Sequence, residues 1–339
     1  MSSVELVKTA QAMVAEGRGL LAIDESTGTC KKRFDSVGVE STEPNRRDYR
    51  GMLLSTPGLG EHISGAILFD ETLRQSTPDG VHFVELMREA GIIPGIKVDK
   101  GAHPLAGHEG EKVTEGLDGL RDRLEEYSGL GARFAKWRAV ITIGDNMPTA
   151  ACIEGNSHAL ARYAALCQEA GLVPIVEPEV LMDGFHTLDE CYEVTEATLR
   201  SLYHQMYEQE VMLEGSILKA SMVISGKDCP DRAGVEEVAR ATVECLLNAV
   251  PAAVAGVVFL SGGQGDQEAT AHLDAMNRLG SFPWPLSFSY GRALQAPSLA
   301  LWGADPVGNH EAAQNALAHR ARMNGLATMG RYETALEED

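Results

Sequence analysis

One lysine interrupts the apolar, strand-like stretch Leu213-Glu214-Gly215-Ser216-Ile217-Leu218-Lys219-Ala220-Ser221-Met222-Val223. Burial disfavours the charged form of an ammonium group and leaves a nucleophilic amine. Such an amine can attack a carbonyl carbon and form a Schiff base. On this stretch alone, the simpler interpretation is an ion-paired or edge-strand lysine whose ammonium reaches solvent. The residues on the surrounding strands must therefore show whether Lys219 has a structural or a catalytic role.

Seven other strand-like runs alternate with helical segments along the chain, at Leu20–Asp24, Gly65–Asp70, Ile92–Asp99, Phe134–Ile141, Val173–Val180, Gly256–Leu260 and Leu286–Tyr290. This alternation predicts an α/β fold with one domain, a parallel (β/α)8 TIM barrel over about residues 19–295. A helix over about 4–16 precedes the barrel, helices over about 297–330 follow it, and 331–339 form a short acidic tail. A doubly wound sheet is disfavoured because no G-x-G-x-x-G fingerprint follows the first run.

Helical spacing of apolar residues marks the clearest connecting helices, at His82–Ala90, Leu117–Tyr127, Ala159–Ala170, Leu188–Met206 and Val235–Ala249. The connection at Gly101–Gly110 is longer than usual and contains His103 and His108. No third ligand follows at a recognisable spacing, so we expect no metal site there.

Composition narrows the class of protein. The 339 residues are 44% hydrophobic and carry a formal net charge of −20, which argues against nucleic acid or an anionic membrane as partner. The six cysteines form no C-x-x-C pair, which favours reduced thiols. The first residues do not resemble a signal peptide, and no run approaches the ~20 apolar residues of a membrane helix. We expect a cytoplasmic protein, with a mature organellar form as the alternative.

Charged residues gather at the late parts of the predicted strands. Side chains alternate between the two faces of a strand, so Lys136 shares a face with Arg138, and Glu177 shares one with Glu179. Further polar residues at or just beyond strand ends are Asp24, Lys97, Lys219, Ser261 and Arg292. Catalytic residues of TIM barrels lie at these carboxyl ends. A purely structural ion-pair network is the alternative, but so many buried charges favour a functional site.

Two regions predict anion sites. Glycines let backbone N–H groups approach a phosphate, and barrels commonly bind phosphate after strands seven and eight. The residues in question are Ser261, Gly262, Gly263, Ser289, Gly291 and Arg292. Lys32 and Arg33, with Lys97, form a possible second site across the barrel mouth. The pattern predicts a substrate with a phosphate at each end.

The chain resembles class I fructose-1,6-bisphosphate aldolases from about Gly17 to Tyr332. The resemblance rests on Leu21–Gly28, Gly95–Gly101, Phe134–Arg138, Ile175–Glu179, Leu213–Lys219, Phe259–Gln264 and Phe288–Gln295. It implies a metal-independent TIM-barrel enzyme without cofactor, usually a homotetramer. Such an enzyme cleaves fructose 1,6-bisphosphate reversibly to dihydroxyacetone phosphate and glyceraldehyde 3-phosphate in glycolysis and gluconeogenesis.

The resemblance also implies roles for individual residues. Lys219 would form the Schiff base, Glu177 would act as acid and base on the carbinolamine, and Asp24 would take the proton of the C4 hydroxyl. Lys136 would favour a neutral Lys219 amine, and Glu179 would orient Lys219 and the neighbouring cations. Substrate contacts would come from Ser261, Gly262, Gly263, Ser289, Gly291 and Arg292 at the C1 phosphate, and from Lys97, Arg138, Lys32 and Arg33 at the hydroxyls and C6 phosphate.

The chain departs from the family pattern in two places. Lys219-Ala220-Ser221-Met222 replaces the Lys-Pro-Asn-Met of many relatives. Many eukaryotic relatives also end in a mobile tail whose tyrosine assists proton exchange at C3, whereas Tyr332 matches an earlier position. We therefore expect protonation and release of the dihydroxyacetone phosphate enamine to limit turnover, unless another group assists.

Three alternative functions remain at this point. A transaldolase-like Schiff-base enzyme would act on monophosphorylated sugars, which the paired anion sites disfavour. A metal-dependent aldolase would need a clustered set of histidines. A non-catalytic sugar-phosphate-binding or scaffolding protein would have no need of Asp24, Glu177 and Lys219 together.

Overall fold

The apolar runs form the strands of a closed parallel barrel in a computed structural model that describes residues 2–338. The strands in that range are β1 (Gly19–Ile23), β2 (Ile63–Leu68), β3 (Ile93–Lys97), β4 (Ala102–Pro104), β5 (Lys112–Thr114), β6 (Phe134–Ile141), β7 (Val173–Val180), β8 (Ile217–Ala220), β9 (Gly256–Phe259) and β10 (Leu286–Tyr290). The barrel closes in the order β1-β10-β9-β8-β7-β6-β3-β2. The two remaining strands, β4 and β5, pair as an antiparallel hairpin.

Helices lie outside the barrel and mostly connect consecutive strands. They are α1 (Ser3–Met13), α2 (Thr27–Asp35), α3 (Glu43–Leu54), α4 (Asp70–Leu73), α5 (Phe83–Glu89), α6 (Leu120–Gly129), α7 (Ala150–Glu169), α8 (Leu188–Glu208), α9 (Val235–Ala249), α10 (Asp266–Arg278), α11 (Arg292–Ala304) and α12 (His310–Ala327). The predicted single-domain (β/α)8 barrel is confirmed. Within the described residues, no helix combines the length and apolarity that crossing a bilayer requires.

Several element bounds differ from the predictions. The stretch around Lys219 contributes only the four residues of β8, because Leu213–Gly215 forms a separate 3-10 turn. The helix predicted at Ala159–Ala170 begins at Ala150, where the Thr149 side chain accepts a hydrogen bond from the Cys152 N–H. Apolar spacing missed this first part because a side-chain cap, rather than a hydrophobic face, defines it.

Three helices and one hairpin were not predicted. They are α3, the short α4, α10 and the β4–β5 pair, the last of which lies within and just beyond the long connection at 101–110. Of the acidic tail, residues 334–337 form a 3-10 turn. Met1 and the final residue of the tail, Asp339, lie outside the described residues.

The interior of the barrel is apolar at its amino-terminal end. A cluster of buried side chains fills this end and includes the inner face of α1. Its members are Leu6, Ala10, Met13, Val14, Leu20, Ala22, Ile67, Phe134, Val173, Ile175, Ile217 and Val258. Successive side chains of a strand alternate between faces. Along β6 the inward positions therefore run from Phe134 to Lys136 to Arg138, and along β7 from Val173 to Glu177 and Glu179. The core thus changes from apolar to charged along each strand.

Glycine on two strands makes room for the Phe134 ring. A Cβ added at Gly65 would lie 3.0 Å from the Phe134 ring, and one at Gly95 would overlap the ring. Overpacking a filled core forces side chains from their rotamers and shifts the backbone. The charged layer above therefore depends on a closely packed apolar floor.

We predict that Gly95→Ala lowers the free energy of unfolding by about 1–3 kcal/mol, because the new methyl group overlaps a fully buried ring. Urea unfolding followed by circular dichroism measures the change. The matched control is Gly155→Ala within α7, where an added Cβ meets nothing within 4 Å. Helix propensity predicts a neutral or stabilising effect there. Equal midpoints for the two variants would contradict the prediction.

Candidate active site

The predicted site residues meet in an open cavity of about 520 Å³ at the carboxyl ends of the strands. Among its lining residues are Asp24, Lys32, Arg33, Lys97, Lys136, Arg138, Glu177, Glu179, Lys219, Ser261, Gly262, Ser289, Gly291 and Arg292. Gly263 is the one predicted residue outside this lining set, one position further along its loop. The structure therefore brings fourteen of the fifteen residues selected from the sequence to one cavity.

A buried network of four charges occupies the floor of the cavity. Lys136 Nζ lies 2.7 Å from Asp24 Oδ2 and 3.3 Å from Glu177 Oε2. The other carboxylate oxygen, Glu177 Oε1, lies 3.1 Å from Lys219 Nζ. Two ammonium groups and two carboxylates thus alternate in one series of ion pairs, and this pairing offsets the cost of burying each charge. Lys219 is 4% exposed, so its amine reaches only this network and the cavity.

The network controls the protonation of both carboxylates. Burial alone would raise the pKa of Asp24, but the charges of Lys136, Lys219 and Lys97 outweigh it and hold this pKa well below its usual range. The same balance of burial against Lys136 and Lys219 lowers the pKa of Glu177. Burial would lower the pKa of Lys136, whereas Asp24 and Glu177 raise it above its usual range. Both carboxylates are therefore ionised at neutral pH.

The two oxygens of Glu177 have different surroundings. Glu177 Oε2 is buried and, among the described residues, has no hydrogen-bond partner; Lys136 lies at ion-pair distance only. Oε1 meanwhile faces the amine of Lys219. An acid–base group must lie within hydrogen-bond reach of the proton that it transfers. Glu177 meets that condition for protons on the Lys219 nitrogen.

Glu179 pairs with one of the neighbouring cations, Arg138, and not with Lys219. Its carboxylate accepts a hydrogen bond from Arg138 Nε, and the carboxylate nearest Lys219 is that of Glu177. Burial would lower the pKa of Arg138, but Glu179 raises it above its usual range. Asp99, which the sequence analysis did not select, accepts a hydrogen bond from the Arg138 backbone N–H and lies 3.4 Å from Lys97 Nζ. Glu179 and Asp99 therefore fix the cations at the mouth.

The loop after β9 has the backbone geometry of an anion site. Gly262 and Gly263 have φ values of +59° and +106°, which favour glycine, and the Gln264 N–H closes the turn onto the Ser261 carbonyl at 2.9 Å. Ser289 Oγ faces the same cavity, is buried and lacks a hydrogen-bond partner within residues 2–338. A buried hydroxyl without a partner indicates a place for a ligand.

Cations surround this loop. Burial lowers the pKa of Arg292, and the neighbouring Arg33 lowers it further, so the guanidinium lies in a positive local field. Arg33 Nε itself lies 3.4 Å from Glu25 Oε1, in the connection between β1 and α2. Positive side chains close to one another in a protein of net charge −20 are arranged for an anionic ligand.

Four polar lining residues escaped the sequence analysis, namely Glu25, Ser26, Thr29 and Ser36. Ser26 is the N-cap of α2, where its Oγ accepts a hydrogen bond from the Thr29 N–H. A serine between a strand and a basic helix is the signal that could have identified this end of the site. Among the described residues, no three His, Cys, Asp or Glu side chains are arranged to hold a metal ion.

Comparisons with known proteins agree with this geometry. The family model described as fructose-bisphosphate aldolase class-I matches residues 5–339. A probable fructose-bisphosphate aldolase class 1 of Xanthomonas campestris is 66% identical over 98% of this chain and 100% of the relative. Fructose-bisphosphate aldolase 1 of Toxoplasma gondii is 53% identical over 97% and 91% of the two chains.

A solved structure is also similar throughout. It is a ternary co-crystal structure of fructose-bisphosphate aldolase from Plasmodium falciparum in complex with TRAP and a small-molecule inhibitor. The TM-score is 0.96 at 48% identity, covering 97% of this chain and 95% of the other. The fold, the buried lysine–carboxylate network and the comparisons define a TIM-barrel enzyme whose cavity is also lined by several cations. The chain belongs to the class I fructose-bisphosphate aldolase family.

A buried histidine supports the anion-binding loop from below. His272 Nδ1 lies 2.7 Å from Gln264 Oε1, and Gln264 Nε2 donates to the Met222 sulfur, so Nδ1 carries the proton. Burial lowers the pKa of His272 to about 4. The loop therefore depends on a histidine that is neutral in the folded protein.

We predict that His272 makes the fold sensitive to acid between about pH 6.5, the usual histidine pKa, and pH 4. In that range the unfolded chain binds the proton more readily, so the stabilisation is complete above pH 6.5 and is lost as pH falls toward 4. His272→Asn should lose about 2 kcal/mol less stability than wild type between pH 7 and pH 5, measured by urea unfolding. The exposed His103→Asn is the control, and an equal loss in both variants would contradict the prediction.

Proposed function

We propose that this chain cleaves fructose 1,6-bisphosphate reversibly to dihydroxyacetone phosphate and glyceraldehyde 3-phosphate through an imine on Lys219. The observation that carries the proposal is the alternating network of Lys219, Glu177, Lys136 and Asp24 in a cavity that is also lined by Lys32, Arg33, Lys97, Arg138 and Arg292. Each of the four groups has a place in the chemistry of an aldol cleavage.

Imine formation uses Lys219 and Glu177. Glu177 first takes a proton from the Lys219 ammonium; the freed amine attacks the C2 carbonyl carbon, and the carbonyl electron pair moves to oxygen, which takes that proton to give a carbinolamine still protonated on nitrogen. Glu177, 3.1 Å from that nitrogen, takes a proton from it and returns one to the departing hydroxyl, which leaves as water. The product is a protonated imine, a positive centre that can accept electrons from the sugar.

Cleavage uses Asp24, whose carboxylate is paired with the Lys136 ammonium. Asp24 removes the proton of the C4 hydroxyl, the C3–C4 electron pair moves into the imine, and the aldehyde leaves while an enamine remains on Lys219. The lowered pKa of Asp24 keeps the carboxylate ionised before substrate arrives. No cofactor is required, because the protonated imine provides the electron sink.

The two anion sites give the substrate one orientation. Ser261, Gly262, Ser289, Gly291 and Arg292, with Gly263 beside them, suit the C1 phosphate. Lys32, Arg33 and Ser26 suit the C6 phosphate, and Lys97 and Arg138, which line the same cavity, suit the substrate hydroxyls. Binding both phosphates holds C2 at Lys219 and the C4 hydroxyl at Asp24, and orientation of this kind lowers the barrier to reaction.

Assembly and location are proposed from the family and the thiols. A homotetramer is proposed by resemblance to the family alone. All six cysteines are free and buried, which suits a reducing compartment such as the cytoplasm. Among relatives, one from Arabidopsis thaliana is named cytosolic and one from Chlamydomonas reinhardtii chloroplastic. We propose a cytoplasmic enzyme that needs neither nucleic acid nor membrane.

Covalent trapping tests the imine directly. Incubation with dihydroxyacetone phosphate and reduction by borohydride should give a stable secondary amine on Lys219, located by peptide mass spectrometry. The adduct should form equally with and without a chelator. Lys219→Met should give no adduct, whereas Lys8→Met, an exposed lysine on α1, should label as wild type does. An unlabelled wild type, or labelling at another lysine, would sink the proposal.

Asp24→Asn should separate cleavage from imine formation. We predict that kcat for fructose 1,6-bisphosphate falls about 10²–10⁴-fold, since the base is lost, while the borohydride-trapped adduct with dihydroxyacetone phosphate still forms. Steady-state cleavage and trapping on the same preparation measure the two effects. Loss of both together would instead assign Asp24 to imine formation or to folding.

A further inference from the structure

Lys227 lies beside the anion-binding loop, although its side chain is not among the residues that line the cavity. The point where a Cβ on Gly263 would lie is 3.1 Å from Lys227 Nζ and 3.3 Å from Arg292 Nη2. Two cations therefore approach the same glycine from different elements, one from the loop after β8 and one from the start of α11. Only a residue without a side chain leaves that space open.

Interlocked backbones hold the base of Lys227 in place. Its own N–H donates to the Met182 carbonyl at 2.8 Å, and the flanking N–H groups of Gly226 and Asp228 donate to the carbonyls of His186 and Gly184 at 2.8 and 2.9 Å. At Gly226, an added Cβ would lie 2.8 Å from the Gly184 carbonyl carbon, so the loops after β7 and β8 touch closely. The stem of Lys227 therefore starts from a fixed point next to the phosphate loop.

The end of Lys227 is only loosely held. Lys227 Nζ lies 2.9 Å from Asp183 Oδ1, and the two side chains are 38% and 68% exposed. Exposed pairs of this kind are weak, because water screens the charges and ordering two long side chains costs entropy. A phosphate, which carries up to two negative charges and three acceptor oxygens, competes effectively with one solvated carboxylate.

We propose that Lys227 is a further ligand of the phosphate bound at Ser261–Gly263, opposite Arg292, and that Asp183 holds its ammonium beside the site until substrate binds. The inference rests on the proposed function, since it takes the substrate phosphate as the anion at this loop. Lys227 adds to the site a cation from the loop after β8. Lys227 and Asp183 are 44 residues apart along the chain. Lys227 then sets affinity for the phosphate without taking part in bond breaking.

The test measures binding of dihydroxyacetone phosphate by the extent of borohydride trapping on Lys219 across a range of concentrations. Lys227→Met should raise the half-saturating concentration about five- to tenfold while the maximal extent of labelling stays at the wild-type value, because one charge-assisted contact is lost. Lys227→Arg should restore most of the affinity. Lys8→Met matches the change in net charge at a site outside the cavity.

Asp183→Asn distinguishes direct binding from a structural tether. Both Asp183→Asn and Lys227→Met break the ion pair between the two loops, but only Lys227→Met removes a phosphate ligand. Asp183→Asn should therefore bind as tightly as wild type or more tightly. Equal weakening in the two variants, or a Lys227→Met value within twofold of the Lys8→Met control, overturns the inference. Failure of wild type itself to label would instead overturn the proposed function.

Discussion

The position of Glu177 between two lysines is the constraint on which the rest of the site depends. Its two oxygens face Lys136 and Lys219, and Lys136 in turn holds Asp24. Removing one member of a buried ion-pair chain leaves its neighbour charged and unpaired, which is far more costly than the pair itself is stabilising. The four charges consequently fix one another's protonation as well as position. The role of acid and base that we propose for Glu177 needs this fixed setting, because its proton must move only when the substrate arrives.

The barrel makes that arrangement possible because its apolar floor, at the amino-terminal ends of the strands, is separate from the charged cavity at their carboxyl ends. Parallel strands all end at the same edge, so inward residues from β1, β6, β7 and β8 converge although they are far apart in sequence. Below them the Phe134 ring, packed against glycine on β2 and β3, is buried in an apolar cluster. Low polarity beneath the network strengthens each ion pair above it. The stability of the apolar floor and the chemistry of the mouth are therefore linked through the same strands.

Periodicity and strand order made the barrel and its inward charges predictable from the sequence. Apolar runs predicted the barrel, and alternation along β6 and β7 predicted that Lys136 and Glu177 would share the interior. Prediction failed where the determining contact lies between loops or at a cap. The Ser26 cap of α2 lacks the apolar periodicity that marked the strands and helices, and the approach of Lys227 to Gly263 depends on loop geometry that no local spacing encodes. Catalytic groups on strands are thus more predictable than the substrate contacts that loops provide.

The contact between Lys136 and Asp24 has two opposing effects on Asp24 as the proposed base. Its ammonium, 2.7 Å from Asp24 Oδ2, keeps Asp24 ionised, yet the same contact stabilises the carboxylate and weakens it as a base. Asp24 becomes a stronger base only when that ammonium finds another negative partner. Glu177 Oε2, buried at 3.3 Å and without a hydrogen bond among the described residues, and the oxygens of a bound sugar are both available to it. Substrate binding would then both deliver the C4 hydroxyl and release the base, so that proton removal is coupled to occupancy of the site.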